Sequence, residues 1–314
     1  MPCKHSMNRL CFMQKCTLLL AFLTILLLAT ITSFYPEYTE KEVEGCIPTV
    51  YVAIMSGHAL LRQSIRDTWA SWTDCRIRVR FYVDYGTVNI TDDMVELPSN
   101  VHCPNKKCFG GHDVNMAMVT HALTSSSFDY YVRLDDDAFV CPQSLLRLLD
   151  ALVDANQHVY MGNFYVSPVD AHADEFFVLL SRKLLELLAH GFNENIIVAD
   201  HQRTFAINIA YWIFMWNAFI VHNESLFFTS PHVHYNGVDN ICASHVVYHQ
   251  IKDPAVYEVA GKNSQNQTVQ LPTHLARIQQ TNPAAGVDPK RWWTVRGLRQ
   301  LPRIEHIPQM YSND

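Results

Sequence analysis

The stretch that decides the fold is residues 130–140, YYVRLDDDAFV. Its two ends are runs of β-branched and aromatic residues that predict short strands, and three consecutive aspartates stand between them. Adjacent carboxylates repel one another, so a strand that delivers them to the end of a sheet needs a cation there. Carboxylate oxygens suit hard divalent ions such as Mg²⁺ or Mn²⁺, which also bind phosphate oxygens. The triplet predicts a metal site for a diphosphate; the alternative is a solvated acidic turn or the cap of the next helix.

The segments around this stretch alternate between strand and helix patterns. Three of them have strand patterns: residues 49–55, 76–83 and 159–166. Four have helical patterns: residues 58–72, the segment after Gly110 and Gly111, the segment that Pro142 opens, and residues 181–190, which Gly191 is expected to end. Residues 205–221 are nearly free of charge and are predicted to form buried strands. Together these patterns predict an α/β fold with a mainly parallel sheet between two layers of helices.

Two arginines lie one helical turn apart in the first predicted helix. Arg62 and Arg66 flank its apolar face, and the helix follows the first strand after the loop 56–58. A strand, loop and helix in this order place the loop and the basic face at the carboxyl end of a parallel sheet. Both guanidinium groups could contact phosphate there; the alternative is two solvated arginines on an amphipathic helix.

The composition indicates an ordered protein that does not bind nucleic acid. The 314 residues are 49% hydrophobic and 17% charged, which is enough apolar content for a full α/β core. The net charge is −6, and no cluster of Lys and Arg offsets it. A nucleic-acid partner is therefore not expected.

The amino-terminal region predicts a single membrane anchor. Residues 17–34 form an uncharged apolar run, preceded by basic residues and followed by acidic ones. This pattern predicts a cytoplasmic tail at residues 1–16, a signal anchor at 17–34, a stem at 35–47 and a lumenal domain at 48–314. A cleaved signal peptide is the alternative, but the run is longer than a usual signal core. Three N-glycosylation sequons, at Asn89, Asn223 and Asn266, follow the run, as expected for a lumenal domain.

The cysteines and histidines leave several interpretations open. Six of the nine Cys follow the apolar run, which suits up to three disulfides of undetermined connectivity; Cys103 and Cys108 could close a small loop. A zinc-thiolate site is the alternative, although paired Cys-x-x-Cys spacing is missing. Two pairs of histidines have regular spacing, His232 with His234 and His245 with His249, but coincidental pairs are expected among sixteen histidines. The segment after Pro254 shows no motif with chemistry.

Three motifs, taken in order, resemble one known family. They are residues 62–69 (RQSIRDTW), residues 130–140, and residues 178–182 (VLLSR). The first is similar to the Arg-x-x-Ile-Arg-x-Thr-Trp helix of the Fringe-like β-1,3-glycosyltransferases, which include β-1,3-galactosyl- and N-acetylglucosaminyltransferases. The second is similar to the aromatic-x-x-x-Asp-Asp-Asp strand of that family. The resemblance covers about residues 48 to 240.

The resemblance implies a GT-A-type glycosyltransferase fold and an inverting transfer from a UDP-sugar. It implies Mn²⁺ or Mg²⁺ as the cofactor, a glycan or glycoprotein as the acceptor, and a type II, single-pass protein of the Golgi membrane; a homodimer is a further candidate assembly. Position by position, it assigns Asp137 and His232 as metal ligands, with His234 as the fallback. It places Asp135 and Asp136 beside the nucleotide sugar, whose phosphates Arg62 and Arg66 could contact from the helix position described above. Asp200 is the implied general base.

The chain departs from the family pattern at two places. The family has a Gly-rich run before its Leu-Ser-Arg segment, whereas this chain has residues 174–177, DEFF. His201 replaces the second acidic residue of the pair that Asp200 begins. Two other functions are therefore considered: an inactive lumenal glycan-binding or chaperone-like homologue, and a zinc-dependent hydrolase. The hydrolase would use His232, His234, His245 and His249.

Overall fold

The computed structural model describes residues 49–99, 111–152, 158–167, 170–194, 205–215, 219–222, 227–229 and 241–269. The chain divides after Glu42, and every described residue belongs to the second unit, Val43–Asp314. The predicted tail, anchor and stem lie outside the described residues, as do Cys103 and Cys108. None of the helices in the described ranges has both the length and the hydrophobicity that a membrane crossing requires.

Ten strands and seven α-helices make up the described part of the chain. The strands are β1 (Val50–Met55), β2 (Ile77–Val83), β3 (Met94–Glu96), β4 (Tyr130–Asp135), β5 (Phe139–Val140), β6 (Val159–Ser167), β7 (Asp170–Ser181), β8 (Phe219–His222), β9 (Phe227–Thr229) and β10 (Val247–His249). The helices are α1 (Ala59–Asp67), α2 (His112–Ser125), α3 (Pro142–Leu152), α4 (Arg182–Asn193), α5 (Phe205–Met215), α6 (Ile241–Ser244) and α7 (Pro254–Ser264). A 3₁₀ helix, Trp69–Trp72, follows α1.

Seven strands form the main sheet in the order β3-β2-β1-β4-β7-β6-β8. All of them run in one direction except β7, which is antiparallel to both β4 and β6. The chain leaves β1 toward β2 on one side and later returns to β4 on the other, so β1 and β4 form a switch point at their carboxyl ends, where ligands bind in open α/β sheets. The predicted mixed α/β class with a mainly parallel sheet is confirmed.

The sheet has a hydrophobic core on each face. On one face, alternate β1 residues such as Val52 and Ile54 pack with α1, α3 and α7. On the other face, Tyr51 and Ala53 pack with α2, α4 and α5. Because both faces are covered, β1 is buried along its length and consists of apolar residues, and β4 is buried up to Leu134.

A three-stranded sheet, in the order β5-β10-β9, lies beside the end of β4. Its strand β5 begins two residues after the aspartate triplet, and β10 pairs antiparallel with it. A disulfide joins Cys141, just after β5, to Cys242 in α6. This bond fastens the segment that carries β10 to the segment that carries the triplet.

Breaking the Cys141–Cys242 bond is expected to lower the free energy of unfolding by about 3–5 kcal/mol, because the bond closes a loop of 101 residues. Urea unfolding of the Cys141→Ala, Cys242→Ala double variant measures the loss. Each single variant should lose a similar amount, since either change breaks the same bond. A loss below about 1 kcal/mol in the double variant would contradict this expectation.

Two expectations from the sequence are wrong, and one strand was not anticipated. In the run 205–221, residues 205–215 form the helix α5 rather than a strand, because a continuous apolar run fits a buried helix as well as a buried strand. Residues 219–221 do lie in a strand, β8. Helix α4 continues past Gly191 to Asn193, and the Phe192 ring packs against His112 at 4.4 Å between ring centroids. Strand β7 was not predicted as a strand, although residues 176–180 are an apolar run.

Strand β7 contains a bulge beside the end of β4. Gly162 pairs with Val178 and Phe164 pairs with Ala173, so one β6 residue lies opposite four β7 residues, 174–177. We call residues 174–177 the β7 bulge. Its backbone comes so close to β6 that a Cβ atom at Gly162 would lie 2.8 Å from the carbonyl oxygen of Phe177. Only glycine fits at position 162 without moving the bulge.

Candidate metal-binding site

The aspartate triplet lies at the carboxyl end of β4, at the switch point of the sheet. Asp135 is the last residue of β4 and pairs with Met55, the last residue of β1. The turn that follows is fastened from α7, where the buried Tyr257 hydroxyl donates to the carbonyl oxygens of Asp136 and Ala138, at 3.0 and 3.1 Å. The triplet is therefore held in place by the core rather than exposed as a mobile turn.

Three side chains at this edge could hold a metal ion. One ligand atom from each of Asp135, Asp137 and His249 lies within 4.8 Å of the other two. His249 Nε2 is 3.0 Å from Asp137 Oδ1 and 3.8 Å from Asp135 Oδ2. The Ile251 N–H donates to the Asp137 carbonyl oxygen at 2.9 Å, which holds the end of β10 against the triplet.

The chemistry of these three groups fits a divalent cation. Two carboxylates supply hard oxygen ligands and the imidazole supplies a nitrogen, a mixture that suits Mn²⁺. All three side chains are partly exposed, between 12 and 27%, so an ion there would keep positions for ligand oxygens.

Asp136 has a different environment from its two neighbours. Its Oδ2 accepts from the His58 N–H at 3.0 Å and from Ser56 Oγ at 3.3 Å. Burial raises the pKa of Asp136, and the hydrogen bond from His58 partly offsets this rise. Asp136 thus fastens the triplet to the loop between β1 and α1.

The two arginines predicted to meet phosphate are both engaged with protein groups. Arg62 is buried and donates to Ser56 Oγ at 2.9 Å, so it supports the loop that holds Asp136. Arg66 forms a two-pronged ion pair with Asp93, with N–O distances of 2.6 and 2.7 Å, and lies over the Phe81 ring. Arg62 therefore lies on the side of the triplet, and Arg66 lies on the side of β3. Contact of either arginine with a nucleotide sugar stays a prediction.

A buried arginine stands behind the candidate metal ligands. Arg133 is 1% exposed, and its Nη1 lies 2.6 Å from Asp135 Oδ1. Burial raises the pKa of Asp135, and the positive charge of Arg133 acts in the opposite direction. Arg133 therefore provides a fixed positive charge that favours the ionised form of Asp135, the form that binds metal.

A cleft of about 520 Å³ opens over the triplet. Its walls include all three aspartates, His58 and Leu61 from the β1–α1 segment, and Lys252 from the loop after β10. Lys252 is exposed, so its ammonium group faces solvent at the same cleft as the three carboxylates. The cleft thus combines a candidate cation site with a cationic side chain, an arrangement that suits an anionic ligand.

The other residues predicted for the site have different outcomes. Asp200, His232 and His234 lie outside the described residues. His245 is not in the three-residue group; its Nδ1 is 2.7 Å from Ser244 Oγ. His249, which the sequence offered only as half of a spaced pair, is the imidazole that the structure brings to Asp137. No sequence pattern separates His249 from the other histidines, because the strand that carries it, β10, has only three residues.

Comparison with known proteins gives a match to a family model and distant likenesses to solved structures. No curated protein matches the chain significantly. Among solved structures, the chain is similar to the galactosyltransferase LgtC in complex with donor and acceptor sugar analogues, with 11% identity and a TM-score of 0.37. That likeness covers 73% of this chain and 99% of that chain, and it is too distant to define the site.

The family match covers the part of the chain that holds the triplet. The family model described as Fringe-like matches residues 48–184, which include β1, α1, β4 and the β7 bulge. This match confirms the resemblance that the motifs at residues 62–69 and 130–140 indicate. Residues 48–184 of this chain are thus similar to the Fringe-like family.

Proposed function

We propose that the chain is an inverting, metal-dependent β-1,3-glycosyltransferase with a GT-A-type fold. It would move a hexose or N-acetylhexosamine from a UDP-sugar to a hydroxyl of a glycan or glycoprotein. The observation that carries the proposal is the group of Asp135, Asp137 and His249 at the switch point of the sheet. Both aspartates line the cleft and lie within the segment that matches the Fringe-like model. Such a group is suited to hold the diphosphate of a nucleotide sugar through a divalent ion.

Each residue at the cleft has a distinct role in this proposal. Asp135, Asp137 and His249 would hold the ion, and a bound Mn²⁺ or Mg²⁺ would neutralise negative charge on the leaving diphosphate. Asp136 keeps the β1–α1 loop against the triplet, and Lys252 supplies a second positive charge for the diphosphate. A diphosphate held in this way would leave the anomeric carbon of the sugar accessible to the acceptor on the side opposite the leaving group.

The transfer itself needs a base for the acceptor. A carboxylate accepts the proton of the acceptor hydroxyl while the oxygen bonds to the anomeric carbon and the bond from that carbon to the diphosphate oxygen breaks. Attack on the side opposite the leaving group inverts the configuration. The family resemblance assigns the base to Asp200, and that assignment stays a prediction; a positioned base would contribute about 10²- to 10⁴-fold.

One observation favours a second candidate, an inactive homologue that binds glycans or a protein partner. The β7 bulge places Glu175 and Phe176 where the family has small glycines, and the Phe176 side chain is fully buried beside His249. Side chains there leave less room for a sugar than glycines would. The zinc hydrolase has less support, because the described residues bring a single histidine to the group, whereas catalytic zinc sites usually have two or three histidines or cysteines.

Turnover assays of the purified full-length chain separate these candidates. The chain is incubated with UDP-galactose, UDP-glucose, UDP-N-acetylglucosamine or UDP-N-acetylgalactosamine, with an acceptor array, after metal removal by EDTA. We expect UDP release from one donor that is absent without metal and is restored by Mn²⁺. UDP binding without turnover for any donor or acceptor would favour the inactive homologue, and zinc that survives EDTA would favour the hydrolase.

We further propose the location as the Golgi membrane, with a type II anchor and a lumenal domain. The Cys141–Cys242 disulfide supports an oxidising compartment. Asn89 and Asn266 of the sequons are both exposed, as glycan acceptors must be. A homodimer in that membrane is a further candidate assembly within the same proposal.

A further inference from the structure

The β7 bulge brings two successive side chains to the candidate metal ligands. Residues 174–177 are the place where the chain departs from the Gly-rich run of the family. Phe177 forms the last pair of β7 with β4, opposite Leu134, and residues 174–176 extend past that pair. Bulges commonly redirect side chains next to functional sites. Here Glu175 is directed to Arg133 and Phe176 is directed to His249.

Phe176 supports the imidazole of His249. The two rings are stacked, with centroids 4.5 Å apart and planes inclined by 8°. Phe176 is fully buried in the core, so its ring is a fixed surface. The stacking fixes the plane of the imidazole. The pairing of β10 with β5 and β9 fixes the backbone position of His249. Together these contacts direct Nε2 toward Asp137 Oδ1 at 3.0 Å.

Glu175 supports Asp135 through Arg133. The Arg133 side chain lies between the two carboxylates, at 2.6 Å from Asp135 Oδ1 and 3.9 Å from Glu175 Oε2. Arg133 also donates to the carbonyl oxygen of Glu175 and to Asn115 Oδ1. The other oxygen of Glu175, Oε1, accepts from the Ala206 N–H at 2.8 Å, in the first turn of α5. Glu175 is thus held from two sides and keeps Arg133 in line with Asp135.

We propose that Glu175 and Phe176 are positioning residues that orient Asp135 and His249 for metal binding, one on each side of the metal group. This inference rests on the metal site of the proposed function. A Gly-rich segment has no side chains that could contact the metal ligands, whereas the β7 bulge has two side chains that hold Asp135 and His249 in position. Outer groups that orient metal ligands commonly change metal affinity 10- to 100-fold when they are removed.

The test for Phe176 measures Mn²⁺ affinity of the full-length protein by titration calorimetry without any donor or acceptor. Phe176→Leu and Phe176→Met keep an apolar side chain but remove the flat ring, and each should weaken Mn²⁺ binding by about 10-fold or more. Phe177→Leu is the matched control, because Phe177 is equally buried in the same core cluster. We expect that control to bind Mn²⁺ within about twofold of the unsubstituted protein.

The test for Glu175 uses the same titration. Glu175→Gln removes the charge but keeps an oxygen that can accept from Ala206, and it should weaken Mn²⁺ binding by roughly 10-fold. Glu186→Gln is the matched control, since Glu186 pairs with an arginine at 2.7 Å on the surface of α4. It should leave the affinity unchanged.

Thermal unfolding of every variant separates positioning from stability. A structural role alone would lower the melting temperature of Phe176→Leu and Phe177→Leu alike and leave the Mn²⁺ affinity of both folded proteins unchanged, and that result would overturn the inference. If Phe176 and Glu175 variants bind Mn²⁺ normally while Asp137→Asn does not, the metal site stands and the positioning role falls. If the unsubstituted protein binds no Mn²⁺, both the proposed function and this inference are wrong.

Discussion

Replacing Asp137 by asparagine is expected to lower Mn²⁺-dependent transfer by about 10³-fold while the protein stays folded. Asn has nearly the shape of Asp but no charge, so the group that holds the ion would lose one of its two carboxylate ligands. The close contact of Asp137 Oδ1 with His249 Nε2 at 3.0 Å would also change, because the amide carries no negative charge. Charge stabilisation by a bound ion is worth several kcal/mol in the transition state, which corresponds to the expected loss.

Two measurements on the Asp137→Asn protein test this expectation. Calorimetric titration of UDP with and without Mn²⁺ should show that the metal no longer strengthens UDP binding, and turnover should fall in parallel. The control is Asp84→Asn, the same change at an exposed aspartate just after β2, which should behave as the unsubstituted protein. Circular dichroism verifies the fold of both. Unchanged metal-dependent UDP affinity in folded Asp137→Asn would show that the triplet is not the metal site.

The position of the triplet could be predicted from sequence because it depends on local patterns. Apolar runs that fit buried strands flank the aspartates, and the loop 56–58 follows another such run. Parallel strands bring their carboxyl ends to one edge, so Asp135 and the β1–α1 loop had to meet there. The hydrogen bonds of Asp136 with Ser56 and His58 are a direct consequence of that pairing.

The third candidate ligand could not be chosen from sequence alone. His249 reaches the triplet through a small sheet whose strands have two or three residues, too short to show a pattern. Its selection among sixteen histidines depends on the pairing of β10 with β5 and on the Cys141–Cys242 bond, both of which are long-range. The motif around His232 was more conspicuous in the sequence, and it lies outside the described residues.

The departure from the Gly-rich run also needed the structure for its interpretation. In sequence, residues 174–177 indicate bulk and charge at a place where the family has none. In the structure, the charge of Glu175 faces the buried Arg133, and the bulk of Phe176 is in the core under His249. A charge placed at random in a core would be costly, whereas a carboxylate next to a buried guanidinium can be favourable. The segment is therefore compatible with an intact site.

Replacing Arg133 by methionine is expected to reduce the free energy of unfolding by about 3–5 kcal/mol at pH 7 without metal, because it leaves two partly buried carboxylates without their cation. Methionine keeps an unbranched apolar stem in place of the arginine stem, so the loss reports mainly the charge. Urea unfolding at pH 7 measures it. Lys262→Met is the control, since Lys262 pairs with Glu258 on the exposed face of α7, and no measurable change is expected.

The pH dependence of this loss identifies its cause. Burial already raises the pKa of Asp135, and without Arg133 that pKa should rise further. An acid whose folded-state pKa is raised destabilises the protein at pH values above its unfolded pKa, and the penalty disappears when both states are protonated. The deficit of Arg133→Met should therefore shrink as the pH falls from 7 toward the ordinary range of aspartate, and Mn²⁺ at pH 7 should also reduce it by supplying the missing charge. A deficit that is the same at every pH and unaffected by Mn²⁺ would show that Arg133 acts by packing alone, and that the charge of Asp135 does not depend on it.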